Sequence, residues 1–172
     1  MLGHRLSIRA AGPGDIAACR ELFVEYEKAI GVSLCFQDFA AEVAGLPGDY
    51  IAPRGGLWIA SVQGALAGCV ALRPLGVHDA EMKRLYVRSG FRGLGLGRRL
   101  ALHAIETARS IGYRTLKLDT LPSMAEAQHL YTELGFVDTE PYNDNPVANV
   151  RFMEMKLDPG PVFAPRTPGT NA

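Results

Sequence analysis

Residues 92 to 97 read Arg92-Gly93-Leu94-Gly95-Leu96-Gly97, with the strand-like run Met82-Lys83-Arg84-Leu85-Tyr86-Val87 before them and an amphipathic helical run after them. Strand, glycine loop and helix in that order build a cradle for pyrophosphate. Glycine lets the backbone approach a ligand with no Cβ in the way, and the free N–H groups of the first helical turn lie at the positive end of the helix dipole. Oxyanions bind there with little help from side chains.

Spacing separates the phosphate motifs that compete for these residues. A P-loop closes with Gly-Lys-Ser/Thr, but Gly97 is followed by Arg98 and Arg99. The dinucleotide fingerprint is a nearer rival, because the next predicted strand, Thr115 to Thr120, ends with Asp119 where a ribose-binding acid could sit. Its Gly-x-Gly-x-x-Gly spacing is not met: Gly93 and Gly95 are followed by Arg98, and Gly95 and Gly97 by Leu100. A plain strand-to-helix turn does not need three alternating glycines. The pattern Arg/Gln-x-x-Gly-x-Gly/Ala is met in register by Arg92, Gly95 and Gly97.

That last pattern is the coenzyme A loop of the GNAT superfamily of N-acetyltransferases, and the sequence resembles this superfamily over more than one motif. Glu81 to Val87 is similar to its central strand, Arg92 to Ile111 to its coenzyme A loop and helix, and Leu116 to Thr120 to the neighbouring strand. The run Ala127-Gln128-His129-Leu130-Tyr131-Thr132-Glu133-Leu134-Gly135-Phe136 is similar to the next helix, with its Leu-Tyr-x-x-x-Gly-Phe ending. The resemblance implies acetyl-CoA as co-substrate, with no metal. It implies that Leu85, Tyr86 and Val87 offer backbone hydrogen bonds to pantetheine, and that Arg92, Gly93, Leu94, Gly95, Leu96, Gly97 and Arg98 hold the pyrophosphate. Many relatives carry an asparagine near Ser123 that contacts the cofactor; serine in its place leaves that contact open, and Ser123-Met124-Ala125-Glu126 also reads as a capping box.

Composition agrees with one small enzyme domain. At 172 residues and 48% hydrophobic, the chain can bury a core but has little room for a second domain. Eighteen basic residues balance 18 acidic ones, so the long-range field that nucleic-acid binding needs is missing. Arg88, Arg92, Arg98 and Arg99 nevertheless cluster around the glycine loop, which suits a phosphate-rich small molecule. Cys19, Cys35 and Cys69 have neither disulfide nor zinc spacing, no run reaches membrane-spanning length, and the expected location is the cytoplasm. The expected partner is an amine acceptor, small molecule or peptide, with no nucleic acid and no membrane; monomer and homodimer both stay open.

The predicted elements run in chain order. Leu6 to Ala10 is a strand, and Asp15 can cap the helix after it, where Ile16, Cys19, Phe23, Tyr26 and Ile30 recur at spacings of three, four, three and four. A second helix spans Phe36 to Ala44. Strands at Leu57 to Ser61 and Leu66 to Leu72 form a hairpin turned by Gln63-Gly64, and Glu81 to Val87 follows. Helix-strand alternation continues, with Gly112 and Gly135 as C-terminal caps, and Asn149 to Leu157 closes the sheet. Residues 1–157 read as one domain, and 158–172, with four prolines, as a flexible tail. The order argues an α+β fold mixing antiparallel and parallel strands. The superfamily's form of it is a three-layer α/β/α arrangement with a mixed, mostly antiparallel sheet and splayed central parallel strands.

Acetyl transfer to an amine needs a base, because an ammonium with a pKa of about 10.4 has no lone pair. Glu81 is the family-matched candidate, directly or through water; the alternative is a surface carboxylate paired with Lys83 or Arg84. The carbonyl oxygen needs a fixed donor, which a backbone N–H near Val87 supplies by analogy. The departing thiolate takes a proton, and Tyr131 is the motif-matched acid, although Met124, Ala127, Tyr131 and Leu134 also share a core-facing stripe. His103 and His129 occupy ordinary helix positions. Asp119 either lines the acceptor pocket or caps a loop. By resemblance, Phe23 to Phe39 and Tyr142 to Pro146 shape the acceptor pocket, where Glu25, Tyr26, Glu27 and Asn143 could meet a cationic or polar amine. A non-catalytic acyl-CoA sensor would keep the glycine loop without needing Glu81 or Tyr131, and a nicotinamide oxidoreductase would need the dinucleotide spacing.

Overall fold

The computed structural model describes residues 5 to 158. Seven strands form one sheet: β1 (Leu6–Ala10), β2 (Gly56–Val62), β3 (Ala65–Pro74), β4 (Asp79–Val87), β5 (Thr115–Thr120), β6 (Val137–Asp138) and β7 (Arg151–Lys156). Their order is β1-β2-β3-β4-β5-β7-β6, and every neighbouring pair is antiparallel except β4 with β5. Helices α1 (Ile16–Ile30) and α2 (Phe39–Ala44) cover one face; α3 (Leu96–Ile111) and α4 (Ala125–Leu134) cover the other. The expected α/β/α layering and mostly antiparallel mixed sheet are present.

Each layer follows from a stripe. In α1, Cys19, Leu22, Phe23 and Ile30 are buried, packing with Phe39, Tyr50, Ile59 and Cys69 into one core. In α3, Leu100, Ala101, Ala104, Ile105 and Ala108 are buried against Val70, Leu72 and Leu116 in the other. The alanines keep that helix close to the sheet. It ends at Gly112, whose φ of 100° is left-handed and whose N–H bonds the Ala108 and Arg109 carbonyls.

Several local expectations are corrected. The helix expected over Phe36 to Ala44 is a 3-10 turn at Cys35–Gln37, then α2, broken at Asp38 with φ 53°. Asp15 stands at the N-cap of α1 as expected, but its side chain makes no cap hydrogen bond there; the carboxylate accepts from the Gly12 N–H and Arg9 instead. Ser123 does not cap α4, which starts at Ala125 after Met124 and has no side-chain cap. The two-residue β6 is additional. The predicted tail, apart from Asp158, lies outside the described residues.

Two irregularities position the site. Lys83 to Tyr86 takes three steps in β4 against the two from Ala71 to Cys69 in β3, and Arg84 in this bulge has φ 58°. Alternation resets there: Ala80, Met82, Leu85 and Val87 join the α3-side core, while Lys83 and Arg84 both reach residues on the α1/α2 side. Gly68 faces this bulge, where a Cβ would lie 2.4 Å from the Tyr86 carbonyl oxygen. Secondly, β4 and β5 pair only from Asp79–Thr115 to Glu81–Lys117. Beyond that point the parallel strands part, and a cleft opens between them.

Candidate active site

The cleft holds about 680 Å³. Leu85, Tyr86 and Val87 border one side, and residues 123 to 127 with Leu130 border the other; Arg92, Gly93 and residues 95 to 98 close one end. Gly93 and Gly95 are left-handed, with φ 79° and 72°, and Gly95 is the N-cap of α3 without any side-chain cap. The first-turn N–H groups of α3 therefore have no capping side chain to satisfy them, which is what a phosphate oxygen requires. Arg92 and Arg98 stand beside them; Arg98 also pairs with Glu133 at 3.3 Å, both half exposed. Arg88 is committed elsewhere, to Glu21, Glu25 and the Leu66 carbonyl. Of the residues expected to hold the cofactor, Leu94 alone does not border the cleft, and neither Glu81 nor Tyr131 lines it. A backbone cradle at one end and apolar walls along the rest fit a nucleotide-linked pantetheine arm.

On the α1/α2 face, where the strands part, lies a dense polar cluster. Glu81 is fully buried and does not border the cleft. Arg73 donates to its Oε2 at 2.8 Å, the Tyr142 hydroxyl donates to Oε1 at 3.0 Å, and the Lys83 ammonium lies 3.7 Å from Oε1. Glu81 does pair with Lys83, but in the interior and not at the surface. Lys83 Nζ and Arg84 Nη2 both donate to one oxygen, Gln37 Oε1, at 3.1 and 3.0 Å. Arg84 also clasps Glu42, with 2.5 and 3.2 Å contacts, and Tyr50 donates to the same carboxylate. Burial lowers the Lys83 pKa, with Glu81 opposing; burial raises that of Tyr142, and Glu81 adds to it.

Asp119, half buried at the end of β5, accepts from Asn143 at 3.1 Å and Asn145 at 3.2 Å. The segment before β7 is thus drawn over the β4–β5 ends, with Tyr142 on Glu81. Glu25 and Glu27 are occupied, by Arg88 and by the Leu34 N–H. Tyr26 borders the cleft and carries Arg84 over its ring at 5.7 Å. Tyr131 is 5% exposed, edge-on to Phe136 at 5.8 Å, one residue beyond Leu130 of the cleft wall. Burial raises its pKa, so the phenol holds its proton. Sequence reasoning included Gln37 and Tyr142 only within the two acceptor-shaping segments, without linking them to Glu81, and missed Arg73. The available signal was Lys83-Arg84: two adjacent charges inside a central strand.

Residues 16–136 match the model of the acetyltransferase (GNAT) family. The chain is 39% identical over 147 residues to an uncharacterised N-acetyltransferase of Schizosaccharomyces pombe, covering 84% of this chain and 90% of that one. Its fold is similar to a GNAT-family acetyltransferase from Staphylococcus aureus (TM-score 0.75, 20% identity, 89% of this chain and 99% of that one). It is also similar to a Salmonella typhimurium putative acetyltransferase solved with acetyl-CoA (TM-score 0.64, 22% identity, 91% and 96%).

Proposed function

Because the chain belongs to the acetyltransferase (GNAT) family, an acyl-CoA-dependent group of N-acyltransferases, we propose that it moves an acetyl group from acetyl-CoA to a primary amine, by direct attack. One observation carries this: where β4 and β5 part, a cleft runs from the uncapped N-terminus of α3 along Leu85 to Val87, and Tyr26 on its wall meets Arg84 of the polar cluster. Acetyl-CoA supplies an activated acyl carbon, so that a carbon–nitrogen bond forms, the carbon–sulfur bond breaks, and the amine's protons pass to base and thiolate.

The residues supply the rest. Backbone donors at Gly95 to Gly97 with Arg92 and Arg98 hold the phosphates, and Leu85 to Val87 hold the arm in line. Tyr131 donates toward the leaving sulfur. Glu81 is the base, acting at a remove: its oxygens already engage Arg73 and Tyr142, so the amine's proton reaches it through water. The acceptor is a small molecule or a protein amino group, and the three free cysteines favour the cytoplasm.

Acetyl-CoA should raise the melting temperature and NAD should not, since a ligand confined to the folded state stabilises it. Gly95→Val should abolish that shift, because a β-branched residue does not tolerate φ 72° and crowds the phosphates. Stabilisation by NAD alone would overturn the proposal. Glu81→Gln should lower turnover most near neutral pH and less at high pH, where the amine loses its proton unaided. A pH–rate profile of unchanged shape would reduce Glu81 to the anchor of Arg73, Lys83 and Tyr142.

A further inference from the structure

Lys83 of β4 and Asp119 of β5 each lie two residues beyond the last pair, Glu81–Lys117, where the strands part, and the Asp119 charge still acts on Lys83. The two lie on one face, as their contacts show: Lys117 lies against Tyr142, which bonds Glu81, and the neighbours Asn143 and Asn145 bond Asp119. Yet Lys83 and Asp119 form no ion pair with each other. Asp119 is met by the neutral amides of Asn143 and Asn145, and the one hydrogen bond of Lys83 goes to the Gln37 amide, with the Glu81 carboxylate farther off at 3.7 Å.

The pattern is unusual for a purely structural network. Arg84 and Arg73 each clasp a carboxylate directly, at 2.5 and 2.8 Å. The Lys83 ammonium, with three donors, has one hydrogen bond and a looser 3.7 Å approach to Glu81, and it shares its amide oxygen with a second cation. Burial lowers its pKa, the mark of a charge its neighbours do not fully repay in hydration. Gln37, half buried on the 3-10 turn before α2, meets both cations with a single neutral oxygen. An anion in the place of that oxygen would meet both cations, while an ammonium on the β5 side would meet Asp119.

We propose that the acceptor is a zwitterion, an α-amino acid or close analogue, whose carboxylate sits on Lys83 in place of the Gln37 amide and whose amino group is oriented by Asp119 toward the thioester. This rests on the acetyl-transfer reading and narrows it: a polyamine would place a second positive charge against Lys83 and Arg84.

The test is coenzyme A release from acetyl-CoA with three acceptor sets: the standard L-amino acids, their carboxamides, and spermidine. The best amino acid should exceed its own carboxamide in kcat/KM by roughly ten- to a hundredfold, the worth of one or two charge-assisted contacts. In Lys83→Met that ratio should collapse toward one, mainly through a higher KM for the acid. Asp119→Asn should lower kcat/KM for acid and carboxamide alike. Carboxamides or spermidine used as well as the acids by the unaltered protein would overturn the inference while leaving acetyl transfer intact, and this arm needs no variant to fold. No release with any of the three sets would overturn the inference, and the acetyl-transfer reading would fall with it only if peptide amines and a wider panel of small amines also gave none.

Discussion

Tyr131→Phe should lower turnover by roughly a hundredfold or more, with folding and acetyl-CoA binding intact. The ring is 5% exposed and edge-on to Phe136. Phenylalanine keeps that packing, so stability should fall by at most roughly a kcal/mol or two for the lost hydroxyl. Burial raises the phenol's pKa, which keeps it protonated at every working pH but makes it a weaker acid than a thiol, whose pKa is about 8.5. Full transfer to a free thiolate would therefore run uphill, so the contribution expected of the hydroxyl is a hydrogen bond to the sulfur as its charge develops. A thioester of a much more acidic thiol needs no such help. It should recover much of the lost rate in the phenylalanine variant when turnover is compared between the two thioesters. Equal slowing with both would assign Tyr131 to positioning the cofactor.

What could be read from sequence divides along a physical line. The glycine loop was legible because left-handed φ at Gly93 and Gly95 restricts residue choice so sharply that the loop writes itself into the chain. The α1 and α3 stripes were legible because 3.6-residue periodicity records which face is covered. The polar cluster was not. Glu81 and Lys83 alternate with Ala80 and Met82, which reads as a strand with one solvated face; α1 and α2 cover that face, and local periodicity carries no trace of remote coverage. The bulge hides Arg84 further, since one extra residue puts it on the same side as Lys83. Asp38 breaks the second helix although the apolar pattern runs through it, because aspartate tolerates the left-handed region that most residues avoid. β6 spans two residues, too short for any period.

Glu42→Leu should destabilise the protein by about 3–5 kcal/mol, a large part of the 5–15 kcal/mol typical of a domain. Glu42 is the carboxylate that clasps Arg84, whose side chain is 3% exposed inside the bulge. Losing it leaves a guanidinium buried between the Tyr26 and Phe39 rings, with Gln37 and Tyr26 as neutral partners and no carboxylate among the described residues. Arg84→Met should cost less, because Glu42 is 16% exposed and keeps the Tyr50 hydroxyl. The double variant should be markedly more stable than the sum of the singles predicts, since an apolar pair of similar volume removes both desolvation penalties at once. Urea denaturation of the four proteins gives the coupling directly, and additive losses would show that the pair does not act as a unit. The pH dependence has a fixed sign. Burial alone would raise the Glu42 pKa, but the Arg84 hydrogen bond and charge outweigh it and the net shift is downward. A carboxyl held lower in the folded state stabilises above its unfolded pKa of about 4.3 and loses that contribution as pH falls through the folded value. The gap in stability between the parent protein and Glu42→Leu should therefore narrow below about pH 4. Because Arg84 also shares Gln37 with Lys83, the bond that secures α2 to the bulge also holds the two cations side by side.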